Sequence, residues 1–416
     1  MSLIRIVLDL RFSRYSDPIV PAVKHVFEKP GVLTLLLGGP LMLDLLVSFH
    51  MLYVNLRTVD LGVPPRYQCM LSVMWSVGYV IGAHCAGRWC TPKRSGSMMT
   101  LSLLGTAVIT CFVFLVKPDY LVFLAANIVL GLLIAFYFAP FQVKMGHIHP
   151  FHSMATVVAV YNISWGTGFA LGALGCGWLL DMPEVQWIAC GLVITITVIH
   201  LLLLGCVDGK DGKEERTSEE ITGAFASTPL QRWCGWIGTF VSFAIIGSIS
   251  ATLWPNFGRE NGMSSFQIGV GSFVMIVQLP LLSLLWARSC ERMRNPVMLI
   301  FLVATMGAGC LMIPLSGHGL WQFVLLGVVG AGASGAIFHA VYYSNADPIN
   351  RERSVGINET VVGFAFIFGP STMGWLAWDS GASMRPYIAG FSLALVACAV
   401  IAFLWVRSSS PKGVQA

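Results

Sequence analysis

One carboxylate in this chain stands where a carboxylate is costly. Asp44 lies inside a long apolar run that opens after Pro30, and no other acidic residue falls near the centre of such a run. Counted from Val32 at a rise of 1.5 Å per residue, it sits roughly 18 Å along a helix. A charge at that depth in a bilayer costs at least a few kcal/mol, so it must face a water-filled cavity or a partner. A carboxylate able to exchange its charge for a proton there suits proton coupling. The competing reading is a structural aspartate hydrogen-bonded to a neighbouring helix. His50 follows about 120° around the same helix, with Tyr53 one turn further on, and could titrate near neutral pH. His339 lies in a later run; either histidine can equally be a satisfied packing group. His147, His149 and His152 have donor-like spacing, but they sit beside Lys144 and Pro150 with no carboxylate or cysteine near, so no metal site is expected.

Other chemistries lack their parts. An enzyme in the membrane needs a paired acid and base, and the nearest second carboxylate, Glu359, is expected only at the mouth of a span. No Gly-x-x-x-x-Gly-Lys-Ser/Thr run is present to cradle a nucleotide, so neither an ATP-driven pump nor a bound cofactor is expected. The 11 cysteines include no CxxC pair and fall mostly in or beside apolar runs, which argues against disulfides.

The elements that position these residues follow from composition. The chain is 56% apolar and 11% charged, far below the roughly 25% charged residues of soluble domains. Its solvent is therefore lipid. Runs of about 20 apolar residues match the hydrocarbon thickness, and their continuity excludes a barrel's alternation, so the fold is all-α. Six spans are expected near 32–54, 68–87, 97–116, 121–141, 154–180 and 187–207. Six more are expected near 233–254, 266–287, 296–315, 321–343, 356–378 and 386–406. The domain reading is an arm (1–30), a first six-helix bundle (31–207), a hydrophilic linker (208–232), a second bundle (233–406) and a tail (407–416). The linker's mixture of acids and bases has little to bury, so a mobile segment or a short surface helix is expected.

Orientation comes from the 25 Lys and Arg residues. Only Arg57, Arg66, Lys117, Arg259 and Arg385 fall on one side of the twelve spans; the rest share a side with the linker and both ends. By the positive-inside rule that side is cytoplasmic, in a bacterial inner membrane. The net charge of +5 follows from this bias and carries no nucleic-acid signal. The halves also repeat one another. A shift of 200 lays Leu61-Gly62-Val63 over Asn261-Gly262-Met263 and Gly87-Arg88-Trp89-Cys90 over Ala287-Arg288-Ser289-Cys290, with Arg94 over Arg294. Asn162 followed by Gly177-Trp178-Leu179 is answered by Asn358 followed by Gly374-Trp375-Leu376. Duplicated six-helix units are the build of one transporter class.

On this layout the chain resembles the major facilitator superfamily of secondary transporters. The resemblance covers the first span to the last. The family's gating loop after span 2 is echoed by Gly82, Gly87, Arg88, Lys93 and Arg94, without its aspartate, and Arg288 and Arg294 occupy the second copy. The family's antiporter-associated span 5 pattern is echoed by Gly168, Gly172, Gly175 and Gly177, with Ala173 in place of its proline; Gly369-Pro370 answers it in span 11. Such glycines serve sliding halves or plain packing. The resemblance implies a cavity lined by spans 1, 4, 7 and 10, hence by His50, Tyr53, Asn127, Phe136, Tyr137, Ser242, Ser248, Trp254, Ser334, His339 and Tyr342. With no span-buried lysine or arginine, that lining favours a neutral, amphiphilic or cationic solute. The resemblance implies a monomer working by alternating access, with protons as the second partner. The alternatives are an uncoupled facilitator, a symporter for a neutral metabolite such as a sugar, or a non-transporting receptor or channel.

Overall fold

The computed structural model describes residues 37–90, 92–148, 154–208, 226–289, 297–313, 319–347, 351–376 and 385–409. The arm before residue 37, most of the linker and the tail after residue 409 lie outside them. The first half holds α1 (Gly39–Asp60), α2 (Pro65–Trp89), α3 (Pro92–Leu115), α4 (Tyr120–Ile148), α5 (Met154–Leu180) and α6 (Val185–Asp208). The second holds α7 (Pro229–Glu260), α8 (Ser265–Ser289), α9 (Val297–Met312), α10 (Leu320–Asn345), α11 (Arg351–Leu376) and α12 (Arg385–Ser409). Among the described residues nine helices are long and apolar enough to cross a membrane, and α9, α11 and α12 complete a twelve-helix bundle. Lipid offers no hydrogen bonds, so each run closes its backbone on itself. Large apolar side chains such as Leu101, Val108, Leu121 and Ile401 point outward, as a lipid-facing wall requires.

Turns and caps come from local chemistry. Gly62 and Gly262 adopt φ of 69° and 68°, and each donates its N–H three residues back, to Val59 and Arg259. Glycine reaches this left-handed conformation without a Cβ penalty, so the repeat seen in the sequence is the same helix stop built twice. Ser264 and Gln267 form a capping box at the start of α8, and Thr228 and Gln231 form another at the start of α7.

Two helices are interrupted. In α7 a π-helical turn spans Ile249–Leu253, just before Pro255, whose missing N–H leaves the helix one donor short. In α8 the helix breaks at Val277, where Pro280 cannot bond back to Ile276, and Gly166 of α5 sits against the Pro280 ring.

One buried apolar cluster runs from Phe49, Tyr53 and Phe114 in the first half into Ile245, Trp254, Val329 and Phe338 in the second. The other lies within the first half and includes Leu43, Leu46, Trp75, Tyr79, Leu130, Tyr137 and Tyr161. Asp44 falls between two members of this second cluster in the sequence.

Candidate functional site

Asp44 is 5% exposed, and its Oδ2 is sealed from solvent with no hydrogen-bond partner. Two phenols, Tyr79 of α2 and Tyr137 of α4, lie within its electrostatic reach. Helix register explains why. Gly39 abuts the Tyr137 hydroxyl and the Tyr53 ring meets Phe123 at 6.3 Å, so α1 and α4 run antiparallel with Asp44 level with Leu132. Gly78 and Gly131 bring α2 and α4 into backbone contact, setting Tyr79 at that same level. Tyr137 and His200 Nε2 of α6 are 2.8 Å apart, and both side chains are fully buried. Tyr79 donates its O–H to Glu359 Oε2 of α11, and its ring stacks on Trp75 at 5.2 Å.

Glu359 departs from expectation. The helix begins at Arg351 rather than near residue 356, because its charged first turn continues the helix past the apolar run. Glu359 therefore lies about 12 Å inside it at 1.5 Å per residue. It is half-buried and touches a phenol at the depth of Asp44. The expectation that Asp44 has no interior acidic companion is corrected.

The other expected cavity residues divide. His50 is 0% exposed with both ring nitrogens unpartnered, and Asn127, level with it on α4, is 1% exposed with neither amide atom paired. A sealed polar group without a partner costs about 1–3 kcal/mol. His339 places Nδ1 2.7 Å from Gly335 O, which fixes that nitrogen as the donor and leaves Nε2 an unpartnered acceptor. Ser334 accepts from Trp286 Nε1 at 2.9 Å and donates to Ala331 O at 2.9 Å. Ser248 and Ser242 donate to their own helix, to Ala244 O and Gly238 O. Tyr53 and Trp254 make packing contacts in this conformation. Tyr53 lies 4.1 Å from the Phe114 ring under Arg57, and Trp254 donates to Ile268 O at 2.8 Å among Phe257 and Phe323. Trp254 also lines a small apolar pocket with Ile249, Leu253, Phe257, Cys310, Ile313 and Leu326.

The glycines singled out for sliding hold helices within a half. A Cβ on Gly168 would overlap Leu41 O and one on Gly172 would overlap Leu45 O, both on α1. One on Gly369 would overlap Ala244 O on α7, with Pro370 beside Gly247. Gly177 against Gly269 and Gly374 against Cys69 instead join the halves. Arg88 and Arg288 are exposed in the last turns of α2 and α8, and Arg94 is exposed at the start of α3. Gly87 lies in the last turn of α2. Arg294 and the side chains of His147, His149 and His152 lie outside the described residues.

At the end holding residues 60 and 260, polar contacts join the halves. Arg259 Nε meets Asp60 Oδ1 at 3.1 Å, and Phe266 N donates to Asp181 at 3.2 Å. Asn256 Nδ2 donates to Gln68 Oε1 at 2.5 Å, and Asn55 Nδ2 donates to Ser250 O, inside the π turn, at 3.2 Å. Sequence reasoning missed Tyr79, His200, Asn55, Gln68 and Asn256. Tyr79 and His200 are polar residues inside apolar runs, whereas Gln68, Asn55 and Asn256 stand at or just beyond the ends of runs; the partner of each belongs to another helix.

A twelve-helix bundle in two six-helix repeats, sealed across one end with a carboxylate at mid-depth, defines a secondary transporter. The Major Facilitator Superfamily model matches residues 35–233 and 235–416, and the chain belongs to that family. It is a multi-pass integral membrane protein. No curated protein matches the sequence. Among solved structures it is similar to a point mutant of the nucleoside transporter NupG, at 13% identity and a TM-score of 0.61, over 90% of this chain and 98% of that one. It is similar to the human organic anion transporter MFSD10 (TETRAN), at 15% identity and a TM-score of 0.59, over 90% and 99%. It is also similar to a bacterial homologue of the human lysosomal transporter Spinster, in an inward-facing and occupied conformation, at 12% identity and a TM-score of 0.62, over 93% and 97%.

Proposed function

We propose that this transporter moves a small neutral, amphiphilic or cationic organic solute by alternating access, with Asp44 binding and releasing the coupling proton. The observation that carries the reading is the sealed, unpartnered Oδ2 of Asp44, level with Leu132 of α4. An ionised carboxylate left there without a cation is costly, whereas the protonated acid is a neutral hydrogen-bond donor. His50, Asn127 and His339 supply further unpaired polar atoms for a solute, and the ion pairs Asp60–Arg259 and Asp347–Arg232 stand at helix ends. The linker and both termini face the cytoplasm of a bacterial inner membrane, and the protein acts as a monomer. The 60/260 end is then the outer gate, closed in this conformation, while Arg88 and Arg288 serve the inner gate. The three similar structures are transporters named for unlike cargoes or relatives, and at such low identity they support the fold alone.

Asp44→Asn keeps the shape and removes the titrating group. In proteoliposomes loaded with a solute found by thermal-shift screening, the variant should lose accumulation driven by a pH gradient and keep downhill exchange. Full gradient-driven transport with unchanged pH dependence would refute the coupling role. Loss of cationic solutes alone would make Asp44 a recognition charge.

A further inference from the structure

The π turn of α7 leaves one carbonyl without a donor from its own helix. In an α-helix Ser250 O would accept from Trp254 N–H, four residues on, but that N–H donates to Ile249 O, five residues back. The next residue is Pro255, which has no N–H to offer. Ser250 O takes its donor from the other half of the molecule, where Asn55 Nδ2 of α1 lies at 3.2 Å and the Asn55 side chain is buried. The proline also explains why the turn is wide. In an unbroken α-helix its ring would press on Ala251 O, the carbonyl four residues back. The helix thus has two forms, each with one carbonyl short of a helix donor: Ser250 O when the turn is wide, Ala251 O when it is narrow. Rewinding to the narrow form hands Trp254 N–H to Ser250 O and takes that acceptor from Asn55. It also rotates the segment from Trp254 to Glu260 by up to about 100°, one residue's share of a helix turn. Asn256 rides on that segment, and its Nδ2 reaches Gln68 Oε1 of α2 at 2.5 Å and Thr252 O at 2.6 Å. One local move therefore breaks both amide contacts that join the halves here. Leu253, Trp254 and Phe257 line the small apolar pocket beside Cys310 and Leu326, which gives their side chains room to reseat.

We infer that the π turn of α7 is a two-state switch of the gate at the 60/260 end, and that Asn55 is the positioning residue that holds it in the closed form. Asn55 and Trp254 N–H compete for Ser250 O. The amide from the first half holds it while this end is shut, and the helix's own N–H takes it when the end opens. Opening is then a rewinding inside the second half as well as a parting of the halves. This rests on the reading of alternating access and needs nothing from Asp44.

Pulsed distance measurements between spin labels on the full chain in nanodiscs separate the two movements without a solute. Labels at positions 63 and 263 lie in different halves and report parting. Labels replacing Glu260 and Leu320, both exposed and both in the second half, report rewinding, because rigid rocking leaves their separation unchanged. Asn55→Leu keeps the side-chain size and removes the donor. It should raise the open-to-closed ratio at 63/263 about five-fold or more and populate a second 260/320 distance in step. Pro255→Ala removes the ring clash and supplies an N–H, so it should move both distances the same way. On that background Asn55→Leu should add less than about two-fold, because Ser250 O then has a helix donor in either form. If the 63/263 distance lengthens while the 260/320 distance keeps one value, the halves rock as rigid bodies; the inference is overturned and the proposed function stands. No response of either distance to Asn55→Leu or Pro255→Ala also overturns it. Should Asn55→Leu not fold, Pro255→Ala decides alone. If neither this end nor the linker end, labelled at positions 88 and 288, parts in any variant, alternating access fails and this inference with it.

Discussion

At the scale of residues, a polar group buried in the first half is stabilised where another side chain pairs it. Tyr137 and His200 show the paired case. Removing only the phenol hydroxyl leaves a fully buried imidazole nitrogen without its partner, which costs about 1–3 kcal/mol. Tyr137→Phe should therefore lower the melting temperature in detergent. The double variant Tyr137→Phe/His200→Phe, in which neither partner is left stranded, should recover much of the loss. A double variant as unstable as the sum of its singles would mean that the pair is not coupled. Asp44 was legible in the sequence because a carboxylate within an apolar run is anomalous whatever surrounds it. Tyr79 was not, and Glu359 was placed only at the mouth of a span, because a tyrosine in a span is ordinary and their bond joins residues on α2 and α11 that only the assembled halves bring together.

At the scale of elements, close helix contact in lipid depends on where side chains are missing. The span count, the turn at Gly62 and its copy at Gly262 could all be read from apolar runs and repeated residues. The π turn of α7 and the break in α8 could not, since a proline shows that a helix bond is lost without showing how the helix accommodates it. Nor could the sequence separate glycines that pack within a half from those that face the other half. Gly168 and Gly175 make the close packing within the first half testable. A methyl at Gly168 would overlap Leu41 O, backbone that cannot swing aside, whereas a methyl at Gly175 meets nothing within 4 Å. Gly168→Ala should force α1 and α5 apart, lower the melting temperature by several degrees and reduce folded yield. Gly175→Ala should leave both unchanged. Equal effects of the two would refute the intimate α1–α5 contact.

At the scale of the whole molecule, two kinds of contact hold the 60/260 end shut, and magnitudes decide which governs. The Arg259–Asp60 pair has side chains 28% and 36% exposed, and exposed ion pairs contribute about 0.2–1 kcal/mol and weaken with salt. The Gln68–Asn256 amide pair is buried, at 1% and 8% exposure, so breaking it from one side strands a polar group at about 1–3 kcal/mol. The amide pair is therefore the stronger latch. Spin labels at positions 63 and 263, on the two equivalent turns, report opening of this end by pulsed distance measurement. Gln68→Ala should raise the open-to-closed ratio roughly five-fold or more, while Asp60→Asn should change it by at most about five-fold and by less at high salt. If Asp60→Asn opened the end more than Gln68→Ala, the rim charges would be the latch. The buried amides would then be spectators of a gate held by long-range attraction.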